Sequence, residues 1–403
     1  MTQTPVSVVV VSQDRPDALR LCLTGLLRLN YDCFEIIVVA DAAGVAVADD
    51  VSREIKTVLF EKTNISLARN VGVNAAGGDV VAFIDDDAVP EPLWLHHLIA
   101  PFSQSEVKAT GGFVLGRNGI SFQWQARMTF EDGTSVPFAV SEPSVHTGSK
   151  GRAIKTEGTN MAFRRETLAQ MGGFDPRFAF YLDETDMNMR LAAQNAKTAI
   201  VPLAQVHHGF AESARRSVDR VPRTLFEIGA SCAVFAMKHG SQSIAQTRRA
   251  TRLSQRKRLL RAMIRGDLVP SDVRKLLATF DSGWDVGMKR PVASVQIDNA
   301  PPFKPVRPMA GKDVHTVISG RAYQRKRVLA EAARAASEGG QVSAYVLTLT
   351  SVFHRVQFHV DGYWLQTGGQ FGRSIRASRI FQFWTFAQRV QNEADRVRSL
   401  REL

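Results

Sequence analysis

The sequence predicts an α/β protein with a mainly parallel sheet flanked by helices. Two observations carry that expectation. Between residues 6 and about 100, short β-branched runs alternate with helical stretches, the pattern of successive βαβ units. Several of those runs also end in acidic residues, which puts Asp14, Asp41 and the triplet Asp85-Asp86-Asp87 at strand carboxyl ends, the edge where open α/β sheets bind ligands. In order, strands are expected over 6–11, 35–40, 57–60 and 80–84, with helices over 16–29, between the second and third strands, and over 66–76. From Gly111 to Lys150, glycines and Pro137 mark turns of a long functional loop. Order returns with the apolar Met161-Ala162-Phe163, a helix over 165–171 and a Gly172-Gly173 turn. A helix then opens on Asp183, Glu184 and Asp186, acids suited to its positive end. A short strand over 198–201 and the sequence Val206-His207-His208 follow.

Beyond residue 210 the pattern predicts helices over 223–239 and 248–264 and a proline-rich linker or extended segment over 301–308. Next come a helix over 321–336, a hairpin pair over 342–359, an aromatic and glycine-rich region, and a last helix over 381–400. The expected division is a catalytic domain over 1–215, a basic helical extension over 216–300 and a C-terminal accessory region over 301–403.

Composition narrows the function classes. The chain has 403 residues, 44% of them apolar, enough for a sizeable core. Cys22, Cys33 and Cys232 lack CxxC or Cys/His spacing, so neither a disulfide framework nor a zinc site is expected. No signal segment or membrane span is read, and a cytoplasmic location is the expectation. The net charge of +12 is concentrated in Arg248, Arg249, Arg252, Arg256, Lys257, Arg258, Arg261 and Arg265, a stretch without acids. Such a stretch is either a docked, solvated helix or a peripheral contact with the anionic inner face of the cytoplasmic membrane. Aromatic residues are not interleaved with it, so nucleic acid is not an expected partner.

Three adjacent carboxylates repel one another and call for a cation or solvent to screen them. That observation gains weight from a set of segments in order. Val8 to Pro16, Val38-Val39-Ala40-Asp41, Ser66 to Gly72, Phe83 to Asp87, Gly158 to Arg165, Gly172 to Asp175, Asp183 to Arg190 and Val206-His207-His208 together resemble the family 2 glycosyltransferases of GT-A fold. The resemblance covers residues 6–209, about half the chain.

What it implies is transfer of a sugar, with inversion, from a nucleotide-sugar donor to a hydroxyl of a carbohydrate or lipid-linked acceptor, in bacterial surface polysaccharide or glycoconjugate synthesis. A divalent cation, Mn²⁺ or Mg²⁺, would stabilise the leaving diphosphate. The resemblance puts Asp87 and His208 on the metal, with His207 as the alternative to His208. Ser12, Asp14, Asp41, Arg69, Asn70, Asp85 and Asp86 fall on the donor side, with Asp85 or Asp86 toward the ribose. Asn160, Asp186 and Arg190 fall near the acceptor or donor sugar. The family block reads Glu-Asp-x-Asp where this chain reads Asp183-Glu184-Thr185-Asp186. Aligning Asp186 and Arg190 makes Glu184 the general base, with Asp183 as the alternative. A sugar-phosphate nucleotidyltransferase is the competing enzyme class, but the N-terminal segment lacks a glycine-rich loop with a following basic residue to hold a triphosphate.

Overall fold

The computed structural model describes residues 3–309 and 315–402, apart from 210, 211, 213, 214, 216 and 218. The N-terminal half runs β1 (Val6–Ser12), α1 (Pro16–Leu26), β2 (Phe34–Ala40), α2 (Ala42–Val51), β3 (Lys56–Leu59), α3 (Ile65–Ala75), β4 (Val80–Asp85), β5 (Ala88–Pro90) and α4 (Trp94–Ile99). Next come β6 (Val107–Leu115), β7 (Phe122–Trp124), β8 (Arg127–Phe130), β9 (Ser135–Pro137), β10 (Ser144–Thr147), β11 (Arg152–Lys155), β12 (Asn160–Arg164), α5 (Arg165–Gln170), α6 (Asp183–Ala193) and β13 (Lys197–His208).

The main sheet has the order β10-β13-β6-β12-β4-β1-β2-β3, with β5 added on β13 and β7 on β6. Along that path every strand runs in one direction except β12 and β10, so the expected mainly parallel, helix-flanked sheet is present. Both faces are covered, as a parallel sheet requires. Val6, Val8 and Val10 of β1 pack with Leu19, Leu23 and Leu26 of α1. Val9, one residue out of phase, packs on the other face with Ala68 and Val73 of α3 and with Phe83, Phe163 and Met187. Helix starts follow local chemistry: Asp41 accepts from the Gly44 amide to cap α2, and Asn64 accepts from the Leu67 amide to cap α3.

Several expectations are corrected. The stretch from Gly111 to Lys150 is not one long loop, because Gly111-Gly112 lies inside the nine-residue strand β6 and four more short strands follow. Gly112 is needed there for close approach: a Cβ would sit 2.0 Å from the Ala204 carbonyl oxygen. The short strand at 198–201 and the histidine pair belong to a single strand, β13, whose register shifts between Val201 and Gln205.

After β13 come the helices α7 (Phe226–His239), α8 (Ile244–Ile264) and α9 (Pro270–Gly287), the last not anticipated from the sequence. They share a core with Phe178, Leu182 and Met189, so packing does not break at residue 215. Arg248 and Arg252 of the basic stretch pair with Asp281 and Asp285 of α9, so part of that helix's charge is turned inward to its neighbour. The proline-rich segment is the extended one of the two expected forms, held as a strap. The Lys304 amide donates to Glu35 Oε2 (2.8 Å), the Val306 amide to the Phe34 carbonyl (2.9 Å) and the Met309 amide to the Leu27 carbonyl (2.7 Å).

The C-terminal region contains β14 (His315–Arg321), α10 (Arg325–Ser337), β15 (Gln341–Thr348), β16 (Arg355–Phe358), β17 (Trp364–Gly369) and α11 (Phe386–Arg401). Its sheet order is β14-β15-β17-β16. The hairpin expected over 342–359 does not form: β15 pairs in parallel with β14 and β17, and β16 pairs antiparallel with β17. The turn signal is Asp361-Gly362, where Gly362 has φ +83°, so the hairpin closes one strand later.

Candidate functional site

A cavity of about 490 Å³ opens at the carboxyl ends of β1 and β4. Eight of the residues singled out in the sequence line it: Ser12, Arg69, Asp85, Asp86, Asp87, Asp183, Glu184 and His208. The three aspartates of the triplet divide by geometry. Asp85 and Asp87 lie with His208 so that one ligand atom from each falls within 4.8 Å of the others. Asp86, fully buried, accepts from Ser12 Oγ (2.7 Å) and pairs with Arg15 (3.1 Å). Burial pushes its carboxyl up to about 7, with Arg15 opposing and the neighbouring Asp87 adding to the rise. Of Asp85 and Asp86, either of which is expected toward the ribose, Asp85 is the one that lies in the cluster with Asp87 and His208.

His208 approaches Asp87 Oδ1 at 3.1 Å and Asp85 Oδ2 at 4.0 Å through Nε2, while its Nδ1 lies 2.9 Å from Gln123 Oε1. His208 thus contacts Gln123 through one ring nitrogen and the two carboxylates through the other. Two carboxylates and one imidazole so placed could hold a divalent cation. Strand alternation turns the two histidines to opposite sides. His207 points the other way, to Glu91 Oε1 (2.8 Å) and onto the Trp364 ring (4.4 Å between centroids).

The opposite wall is built by the start of α6. Leu182, which precedes the helix, has φ +66° and Tyr181 has φ +76°, consecutive left-handed residues that cost free energy and occur where a site demands them. Leu182 is buried in the helical core, so the turn is held by packing, and Asp183 and Glu184 follow it into the cavity wall. Glu184 Oε1 accepts from Lys155 Nζ at 2.8 Å. Burial alone would raise the Glu184 carboxyl; the Lys155 charge and hydrogen bond override it and hold the group at about 2. Asp183 pairs with Arg69, yet its burial together with the adjacent Glu184 charge pushes it up to about 7. Arg69 is braced over the rings of Phe83 and Phe174 and reaches the Gly158 carbonyl, where any Cβ would collide with the guanidinium.

The remaining expected site residues lie outside the cavity wall. Asn70 is buried and bonds both the amide and the carbonyl of Phe174 (2.8 and 2.7 Å). Asn160 accepts from Trp94 Nε1 (2.8 Å) and donates to the Phe113 and Ala204 carbonyls. Asp186 is enclosed by Arg190, Lys238 and His239, and Arg190 also holds the Met171 and Gly173 carbonyls. Asp41 accepts from the Asp14 amide (2.6 Å) besides capping α2. Asn70, Asn160 and Asp186 are buried and bonded within the scaffold, whereas Asp41 is half-buried and Asp14 exposed. Sequence reasoning assigned no role to Lys155, Arg15, Thr159 or Gln123. Lys155 sits in a four-residue strand without periodic signal, whereas Arg15 stands beside a strand end and could have been weighed.

Residues 7–172 match the family model for glycosyl transferase family 2, and this part of the chain is a family 2 glycosyltransferase domain. Among curated relatives, the O-antigen biosynthesis protein RfbC of Myxococcus xanthus is 27% identical over 239 residues, covering 54% of this chain and 18% of the relative. The glucosyl-dolichyl phosphate glucuronosyltransferase of Haloferax volcanii is 29% identical over 180 residues, 42% of this chain and 56% of the relative. The chain thus spans little more than half of these proteins at most. A solved mannosyltransferase from Pyrobaculum calidifontis, in complex with GDP-Man and Mn²⁺, superposes with a TM-score of 0.43 at 14% identity, covering 72% of this chain and 88% of its own.

Proposed function

We propose that the chain is an inverting glycosyltransferase that moves a sugar from a nucleotide-sugar donor to an acceptor hydroxyl in cell-surface polysaccharide or glycoconjugate synthesis. The observation that carries this reading is the convergence, in one cavity of a family 2 domain, of the Asp85/Asp87/His208 cluster with the Asp183-Glu184 pair. The family and the acidic, imidazole-containing cluster support a divalent cation, which supplies charge neutralisation to the leaving diphosphate when bound. Ser12, Arg15 and Arg69 line the donor side, and Arg15, already paired with Asp86 and Asp87, keeps the triplet oriented. Thr224, Glu227, Ile228 and Arg258 add the helical extension to the wall, so we assign the catalytic unit to residues 1–300 together with the strap, and the accessory region to the rest.

Glu184 is the proposed general base: held ionised by Lys155, it is ready to accept the acceptor hydroxyl proton across the physiological range. Asp183 is the second reading, favoured by a carboxyl raised to about 7, nearer the operating pH. Kinetics on Glu184→Gln and Asp183→Asn separate them. With Glu184 as base, Glu184→Gln loses about 100-fold or more in turnover while donor binding persists, and the wild-type rate stays level between about pH 6 and 8. A wild-type rate that falls below about pH 7, with Asp183→Asn the inactive variant, transfers the role to Asp183. Near-normal turnover in both variants removes the pair from the chemistry.

A further inference from the structure

The loops at one end of the C-terminal sheet carry an apolar and basic surface that the catalytic site does not use. Leu349, Val352 and Phe353 lie on the loop after β15, and Ile375, Ile380, Phe381 and Phe383 on the loop between β17 and α11. Phe383 is 89% exposed, Leu349 68% and Ile380 64%. The two loops form one surface. The Phe371 amide donates to the Thr350 carbonyl (3.1 Å), the Gly369 amide to the Val352 carbonyl (2.9 Å) and the His354 amide to the Arg373 carbonyl (3.2 Å). Phe381 stacks on Phe371 (5.2 Å) and meets Phe383 edge-on (5.3 Å), so these rings present a fixed cluster.

Charge points to the partner. Arg373 lies over the Phe353 ring (4.6 Å), and Arg376 and Arg379 are exposed beside it. Between Glu338 and Glu393 the only carboxylate is Asp361, which sits in the β16–β17 turn. Exposed apolar side chains on loops, with arginines among them and no acids, match an anionic lipid surface: the rings enter the headgroup and acyl boundary while the guanidinium groups meet lipid phosphates. Among the described residues no helix is long and apolar enough to cross a membrane, so attachment here would be peripheral.

The surface is also rigidly tied to the catalytic cavity. Helix α11 begins at the capped Thr385, two residues after Phe383, and its 16 residues span about 24 Å. At its far end Arg401 grips Glu91 (2.8 Å), which in turn holds His207, the neighbour of His208. We propose that the 349–353 and 371–383 loops are a docking surface for anionic membrane lipid, which sets the catalytic cavity at a fixed height above the bilayer. The inference does not depend on the donor or acceptor.

Co-sedimentation of the full chain with vesicles tests it. The wild type is expected to pellet with phosphatidylcholine vesicles containing about one third phosphatidylglycerol at low salt, and to stay in solution with pure phosphatidylcholine. Phe381→Ser/Phe383→Ser should weaken that binding by about 10-fold or more, since two rings lose their burial. Arg373→Gln/Arg376→Gln/Arg379→Gln should weaken it and flatten its salt dependence, with melting curves of both variants matching the wild type. The proposal is overturned if the wild type ignores anionic vesicles or if the loop variants bind as well as it does. It is equally overturned if binding is lost only on substituting Arg256, Lys257 and Arg261 of α8, or if the phenylalanine variant instead changes the oligomeric state.

Discussion

Replacing Arg401 with methionine should undo the attachment of the C-terminal region to the catalytic domain. Arg401 makes a two-pronged contact with Glu91, Nε to Oε2 at 2.8 Å and Nη2 to Oε1 at 2.9 Å, with both side chains almost wholly buried. Burial alone would raise the Glu91 carboxyl above its ordinary value. The Arg401 charge, with hydrogen bonds from His207 and Arg401, wins and holds it at about 2. The gap from 4.5 to about 2 corresponds to about 3 kcal/mol, in line with the roughly 3–5 kcal/mol lost when one partner of a buried pair is removed. Because the folded-state pKa is depressed, this stability is present above about pH 4.5 and is lost as pH falls toward about 2.

Hydrogen exchange at pH 7 is the suitable assay, since a chain of several packed units need not unfold in two states. In Arg401→Met, amides of 88–97 and 386–402 should exchange about 100-fold faster, the equivalent of about 3 kcal/mol, while β1 and β4 keep their protection. Arg401→Lys, which cannot form the fork, should recover only part of the difference. Less than about a tenfold change in those segments, or uniform loss across the chain, would refute the reasoning.

Further outcomes follow from the same geometry. Gly112→Ala should destabilise the fold by about 1–3 kcal/mol in urea titration, because a Cβ 2.0 Å from the Ala204 carbonyl oxygen forces β6 and β13 apart. Asn160→Ala should lower stability by about 1–3 kcal/mol or more by orphaning Trp94 Nε1 and two carbonyls, and should leave donor affinity of the folded fraction unchanged. Lys155→Met should raise the Glu184 pKa, so that the turnover rate gains an acid limb absent from the wild type; an unchanged pH profile would separate Lys155 from the chemistry.

Strands β1, β2 and β4 were legible because each is largely buried on both faces and reads as an apolar run, as Val80-Val81-Ala82-Phe83-Ile84 does, whereas the edge strand β3 is only half-buried. β6 was illegible because its glycines are there for close packing, while glycine pairs ordinarily signal turns. The pairing of β15 was lost for a related reason: long-range parallel partners leave no mark on local sequence. Within the site, the triplet and the Asp183-Glu184 pair were visible as chemistry-bearing residues at element ends. Motif position could not separate a cavity-facing side chain from one satisfied by backbone, which is why Asn70 and Asn160 were grouped with Arg69. Strand alternation resolves His207 from His208, but only once their partners Glu91 and Asp87 are in place.

The most direct test of the proposed reaction is product analysis with a panel of UDP-, GDP- and dTDP-sugars, with and without Mn²⁺ or Mg²⁺, on the wild type and Asp87→Asn. The account predicts release of nucleoside diphosphate from a preferred donor only when the metal is present, falling about 100-fold or more in the variant. Pyrophosphate as the product, or equal metal-independent turnover in both proteins, would contradict it.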